Sequence, residues 1–477
     1  IHCPPFCSGR DFRPPVLEQQ AFMSASSSRV LQRTELKTTG YLATIFALRM
    51  FGLFMILPIF AVYGQSLEGA TPLLIGTAIG AYGLMQALLQ IPFGMLSDRF
   101  GRRPLLLIGL LLFVAGGVVA AMSDHIHGVI AGRALQGSGA IASVIMALIG
   151  DVVSEKHRTR AMALIGMSVG GSFVLALILG PLLASWLGLS GLFWMTSVMG
   201  VFALLVALVV PAPRALQGEA LPVGVRFRRV LANKTLLRFD LGIFTLHLIM
   251  TASFVVVPAL LSERLGLGLR SHSLIYLGVL VAGFVAMVPL IIRAERRGAV
   301  PVKRLAVVLL AVSQILLALA GAELWHFVLA LLVFFAAFNL LEALLPSLVG
   351  RAAPAGTRGT AMGVYSTSQF LGVFVGGQLG GALYQWVGAE AVFYSCAVLA
   401  AIWLVVLTGL RELPKLDNRV LMLAPGQDWQ KLARELQTVP GVVETVIVEE
   451  QALALLKVDA GELDEARLAG LAGAGQS

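Results

Sequence analysis

Apolar runs of at least about 18 to 20 residues recur along this chain, each long enough to cross a hydrocarbon core at about 1.5 Å per helical residue. Lipid offers no hydrogen-bond partner to a backbone N–H or C=O, so non-alternating runs of this length must be helices and not barrel strands. About twelve spans are expected, at roughly 40–62, 72–95, 104–122, 127–150, 160–185, 191–210, 237–260, 273–292, 304–321, 325–349, 359–385 and 389–409. The composition agrees, with 58% hydrophobic and 13% charged residues, against about half and about a quarter in soluble domains. That balance excludes a soluble enzyme. No glycine-rich phosphate loop is visible that would power ATP-driven transport.

A formal charge of +9 would suit a nucleic-acid binder, but the positive residues follow alternate loops. Arg29, Arg33 and Lys37 precede the first span, Arg99, Arg102 and Arg103 follow the second, and Lys156, Arg158 and Arg160 follow the fourth. Arg226, Arg228, Arg229 and Lys234 follow the sixth, and Arg296, Arg297, Lys303 and Arg304 the eighth. The intervening loops hold little beyond Arg264 and Arg270, so the positive-inside rule puts both termini in the cytoplasm. Cys3, Cys7 and Cys396 are too few and too scattered for a disulfide framework or a metal site. Residues 1–37 read as a disordered N-terminal segment with Met23 as a candidate start. The first apolar run is a full span and not a cleavable signal peptide.

The chain also repeats itself at an offset of two hundred residues. Leu148 and Gly150 match Leu348 and Gly350, and Arg158, Ala161 and Met162 match Arg358, Ala361 and Met362. Gly180 matches Gly380, Trp186 and Gly188 match Trp386 and Gly388, and Phe193 matches Phe393. Shortened by three, the offset lays Asp98-Arg99-Phe100-Gly101 on Glu295-Arg296-Arg297-Gly298. The expected architecture is therefore an all-α polytopic membrane protein made of a duplicated six-helix unit, with bundles at 38–211 and 236–410 joined by a basic linker at 212–235. After Arg411 the pattern turns water-soluble. A strand at 419–423, a helix at 428–437, a hairpin of 442–448 and 452–458, and a helix at 462–471 make a small ferredoxin-like α+β domain over 419–477, without an obvious final strand.

Three motifs lie in the first bundle. The loop after the second span reads Gly94-Met-Leu-Ser-Asp98-Arg99-Phe-Gly101-Arg102-Arg103. Gly94 there admits a close helix, Asp98 suits a helix N-terminus and Gly101 a tight turn. Arg133-Ala-Leu-Gln136-Gly137 lies inside the fourth span, where a charge must face protein or water. Gly180-Pro181 interrupts the fifth span. Together they resemble the major facilitator superfamily, and within it the drug:proton antiporter-like transporters that carry a soluble C-terminal domain. Leu48-Arg49-Met50, the run from Phe338 to Ser347 and the run from Gly359 to Gly372 carry the same resemblance.

The resemblance implies two six-helix bundles around a central cavity in a bacterial inner membrane, driven by a proton gradient without a cofactor. It implies that Arg133 assists proton transfer, that Asp98 latches the cytoplasmic ends of the two halves when the cavity opens outward, and that Gly180-Pro181 belongs to an antiporter motif, here with Ala176 in place of its leading glycine. The expected function is proton-coupled efflux of small lipophilic or cationic compounds. A symporter or facilitator importing a nutrient, and a membrane-anchored sensor, remain alternatives. The partners would be substrate, protons and the bilayer, with self-association through the tail. Val439-Pro-Gly-Val442 looks like a heavy-metal-associated fold, but the tail has no Cys-x-x-Cys and soft-metal capture is not expected.

Ionisable residues within spans are functional candidates. Glu342, with Asn339 one turn before it, is the expected proton carrier, and Arg49 its expected modulating partner, or else half of a permanent bridge tying the bundles together. Desolvation pushes a buried carboxylate toward protonation and a nearby arginine pushes it back. His247 is either a pH sensor or a hydrogen-bonded packing residue. Asp240 reads as a solvated charge at a helix end. Tyr365 and Gln369, polar and one turn apart, are taken as cavity residues through the resemblance. Asp98 is expected at the start of the eleventh span, near Thr357–Thr360, and Asp151 against Arg102 or Arg103.

Overall fold

The computed structural model describes residues 15–153, 155–210, 221–410, 412, 416–423, 428–449, 452–459 and 461–473. The first half comprises α1 (Pro15–Tyr63), α2 (Pro72–Phe100), α3 (Arg102–Ala121), α4 (Ile126–Ser138), α5 (Ala142–Val152) and α6 (Glu155–Val209). A short helix, α7 (Val223–Ala232), lies in the linker. The second half comprises α8 (Lys234–Glu263), α9 (Leu269–Arg297), α10 (Ala299–Leu319), α11 (Leu324–Ala352), α12 (Arg358–Trp386) and α13 (Ala389–Thr408).

Among the described residues, ten helical stretches are long and apolar enough to cross a membrane, α4 and α5 forming one of them. Two more crossings follow from geometry. The 55 residues of α6 reverse at Gly188, whose φ of 66° and ψ of −174° no helix tolerates. The 29-residue α12, diluted by glycine and polar residues, runs the same length between α2 and α8. The expected twelve spans are thus present. The start of α1 and the end of α13 lie at one end of the bundle, the terminal end, and the loop at 64–71 marks the far end.

The duplication is visible in the backbone. Gly101 and Gly298 open α3 and α10 with φ of 95° and 103°, and Gly188 and Gly388 reverse the chain with φ of 66° and 124°, conformations that favour glycine. Gly180 lies against Met55 O of α1, and its repeat partner Gly380 against Ala252 of α8. Absent side chains let helix backbones meet where lipid gives no hydrophobic drive for association.

Two sequence expectations need correction. The N-terminal segment is helical from Pro15, because proline is tolerated at a helix start and the residues after it are mostly helix formers. The fourth span is not continuous: it breaks at Gly139, which packs against Gly109 O, and Ile141 N–H bonds Gly139 O across the break.

The tail forms β1 (Leu416–Met422), α14 (Trp429–Gln437), β2 (Val442–Val448), β3 (Leu453–Asp459) and α15 (Glu465–Gly473). The sheet order is β1-β3-β2, antiparallel throughout. Asp428 caps α14 by accepting from Gln430 N and Lys431 N. Leu432, Leu436, Ala454, Leu456, Val458 and Leu468 make its core.

Candidate functional site

Polar side chains inside the bundle gather in two places. In the second half, α8, α11 and α12 bring together His247, Glu342 and Gln369. The His247 ring donates Nδ1–H to Ile243 O at 3.3 Å, which leaves Nε2 to accept from the Gln369 amide at 2.8 Å. The same amide nitrogen donates to Glu342 Oε1 at 3.4 Å. Glu342 Oε2 stands 3.9 Å from His247 Nε2. The Glu342 side chain is 37% accessible while His247 is 5%, yet Glu342 Oε2 is itself buried and has no hydrogen-bond partner among the described residues. No lysine or arginine pairs with Glu342 among the described residues. Asn339 Nδ2 and the Tyr365 hydroxyl are buried without hydrogen-bond partners among the described residues.

Asp240 belongs with this group. The sequence placed it in solvent, yet it is 6% exposed and neither carboxylate oxygen has a partner among the described residues. Tyr365 feels both the Glu342 and the Asp240 charge. Helix periodicity carries the explanation: Asp240 lies seven residues before His247 on α8, hence on the same face two turns closer to the terminal end.

The second group fills the first half. Arg133 donates to Ala78 O at 3.4 Å and to Gln136 Oε1 at 3.1 Å, and its guanidinium lies 5.0 Å over the Tyr82 ring. Gln136 in turn donates to Thr196 Oγ1 at 3.1 Å. Gly137 meets the Tyr82 backbone. Arg49 is 1% exposed, lies over Tyr82 at 5.7 Å and Phe113 at 6.0 Å, and none of its nitrogens has a hydrogen-bond partner among the described residues. The expected Arg49–Glu342 pair is therefore absent. Aromatic faces of its own half hold the guanidinium, through the ring quadrupole.

At the terminal end Arg102 organises the motif loop. Its guanidinium bonds Asp98, donates to Ser97 Oγ at 2.7 Å, and reaches Asp151 Oδ2 at 2.9 Å, as the spacing of Asp151 suggested. Arg103 donates to Leu208 O at the end of α6, and Arg99 lies over Phe100. Gly94 packs against Ser143 of α5, whose hydroxyl donates to Gln90 O at 2.8 Å.

The latch is not formed in this structure. Asp98 does not cap α12; Thr357, at the N-cap position, makes no side-chain cap bond. Arg226 of α7 stands between them instead. It donates to Thr360 Oγ1 at 3.4 Å; burial pushes its pKa down and the nearby Asp98 charge holds it up. A linker arginine carries no motif, so the sequence offered no signal for it. The repeat-related loop also departs: the N-terminus of α10 is capped by Glu412, which accepts from Ala299 N at 3.1 Å and Val300 N at 2.7 Å.

The halves meet at the far end. Leu73 N–H donates to Gln385 Oε1 at 3.1 Å, and Gln378 pairs with Thr77 at 3.0 Å. Gly76, Gly80 and Gly83 of α2 lie against Gly377, Phe374 and Phe370 of α12. Gln65 donates to Glu263 across the halves, and Tyr384 of α12 donates to the same carboxylate within the second half.

Paired bundles, duplicated loops and buried ionisable groups define a membrane carrier, and the chain belongs to the Major Facilitator Superfamily, which it matches over residues 42–294 and 239–443. It is a multi-pass transporter and not an enzyme. It is 45% identical over 430 residues to the inner membrane transport protein YajR of Escherichia coli, covering 89% of this chain and 94% of that protein. An uncharacterised transporter of Buchnera aphidicola is 35% identical over 347 residues, covering 72% and 89%. Among solved structures, a D-xylose-proton symporter superposes with a TM-score of 0.62 at 18% identity, over 77% of this chain and 96% of that one. The human organic anion transporter MFSD10 superposes with a TM-score of 0.56 at 21% identity, over 78% and 99%. At those identities the two structures establish the fold alone.

Proposed function

We propose that this transporter exports small lipophilic or cationic compounds in exchange for protons, by alternating access between its two halves. The observation that carries the reading is Glu342: a part-accessible side chain in mid-bundle, held by the Gln369 amide and facing His247, with no lysine or arginine partner among the described residues. A group in that position changes the site's charge by one unit when it takes a proton. A cationic compound and a proton then compete for the same carboxylate, which is the elementary requirement for exchange. Asp240, close to Tyr365 and nearer the terminal end, supplies a second carboxylate on the same route.

The arrangement of contacts supports a state that is sealed at the far end and open at the terminal end. With both termini in the cytoplasm, compounds enter the cavity from that side. Closing the terminal end brings Asp98 toward the start of α12, where exposed amides favour a carboxylate by about 0.3 to 1 kcal/mol.

The test uses everted vesicles whose lumen has been acidified and loaded with a pH-sensitive dye. Adding a lipophilic cation should alkalinise the lumen, because each cation entering expels a proton. A nutrient symporter working in reverse carries protons inward with its substrate, so further acidification would refute exchange.

A further inference from the structure

The tail sheet covers only one face with its own helices. Ala454, Leu456 and Val458 of β3 belong to the core beneath α14 and α15, so strand alternation sends Leu455 and Lys457 to the other face. Yet Lys457 is only 7% exposed. The membrane bundle buries it: Nζ donates to Arg351 O at 2.5 Å and to Ala353 O at 3.0 Å, where the end of α11 leaves carbonyls without helical partners. Glu444, opposite Lys457 in the β2–β3 register, accepts the Ala355 N–H at 3.1 Å. Burial pushes the Lys457 pKa down while Glu444 holds it up, as in a desolvated contact.

The same turn also meets the linker. A Cβ at Gly356, whose φ is +73°, would strike Leu455 of the tail and approach Leu221 ahead of α7. One turn further, Arg226 of α7 holds Thr360 and senses Asp98. Tail, α11–α12 turn and linker therefore converge at the spot where the Asp98 loop must land when the terminal end closes.

We propose that the β2–β3 face of the tail is a docking surface whose partner is the α11–α12 turn of the same chain, and that docking braces α7 between Asp98 and the start of α12. The proposal rests on the alternating-access reading above. While the brace is in place, Arg226 occupies Thr360 and the terminal end stays open. Release of the tail frees α7 and allows that end to close. The tail thereby regulates the cycle without contacting the substrate.

Full-length protein in liposomes, with Cys3, Cys7 and Cys396 changed to Ser, tests this in two readings. Cross-linking between Leu221→Cys and Leu455→Cys, whose native side chains both approach Gly356, reports docking, and adding Lys457→Met should slow it about tenfold, whereas Lys457→Arg should retain most of it. Spin labels at Arg160→Cys and Arg296→Cys, exposed at the terminal ends of the two halves, should shift toward shorter distances with Lys457→Met. The variant Glu444→Gln, folded and monodisperse, should shift them the same way. No cross-link with Lys457 intact would overturn the proposal, and so would lost cross-linking with an unchanged distance distribution. A failure of proton exchange appears in the vesicle assay and leaves both readings interpretable.

Discussion

The Gln369 side chain connects two titratable groups on different helices, and its amide cannot serve both equally when one of them changes charge. With Nδ1–H of His247 committed to Ile243 O, the Nε2 lone pair and the Glu342 carboxylate each take one of the two Gln369 amide hydrogens. Gln369→Leu leaves both acceptors unpaired, which costs about 1 to 3 kcal/mol per buried group. Initial transport rates in everted vesicles should fall about tenfold or more, since each tenfold corresponds to about 1.4 kcal/mol. An unchanged rate would remove Gln369 from the site. Arg102 makes a comparable prediction for stability. Its side chain is 17% accessible and bonds Asp98, Ser97 and Asp151 together, so Arg102→Ala leaves two carboxylates uncompensated. Scanning fluorimetry should register a clear loss of thermal stability, larger than for Arg99→Ala, whose side chain only covers Phe100. Equal losses would mean that the loop is a passive positive-inside segment.

Between elements, the α2–α12 seam decides which end is shut. Gly76 and Gly377 bring the two backbones into direct contact, and Gly372, Gly376 and Gly380 bring α12 equally close to Phe244, Leu248 and Ala252 of α8. A side chain on the first pair separates the halves, while one on the second disrupts a single half. Gly377→Val should therefore open the far end, lengthening distances between spin labels at Glu68 and Arg270, with the protein still folded. Gly376→Val should chiefly lower thermal stability. If both variants give the same outcome, the seam is not a gate. The motif glycines Gly94 and Gly101, the break between spans at Gly188 and the repeat were legible in the sequence because a backbone requirement leaves a residue-type mark. The surroundings of Arg49, Asp98 and Asp240 were not. Which side chain a charge meets depends on helix rotation and on how the halves sit, and neither leaves a periodic signal. Arg226 and Glu412 were missed for the same reason: each acts through a contact more than a hundred residues away in sequence.

Across the whole molecule, the two halves use one fold asymmetrically. The first half stores its interior charge as Arg49 and Arg133 against Tyr82, whereas the second carries Asp240 and Glu342 beside Tyr365. The duplicated loops diverge likewise, one held by Arg102 on Asp151 and the other capped by Glu412. Such asymmetry suits a carrier in which one half binds proton and compound while the other moves around it. The most direct test compares wild type and Glu342→Gln in liposomes loaded with a fluorescent lipophilic cation. Wild type should move the cation uphill when a pH gradient is imposed and exchange it when there is none. Glu342→Gln, permanently neutral at that position, should keep some exchange without the gradient but show no uphill movement with it. Uphill movement by the variant equal to wild type would contradict Glu342 as the coupling group.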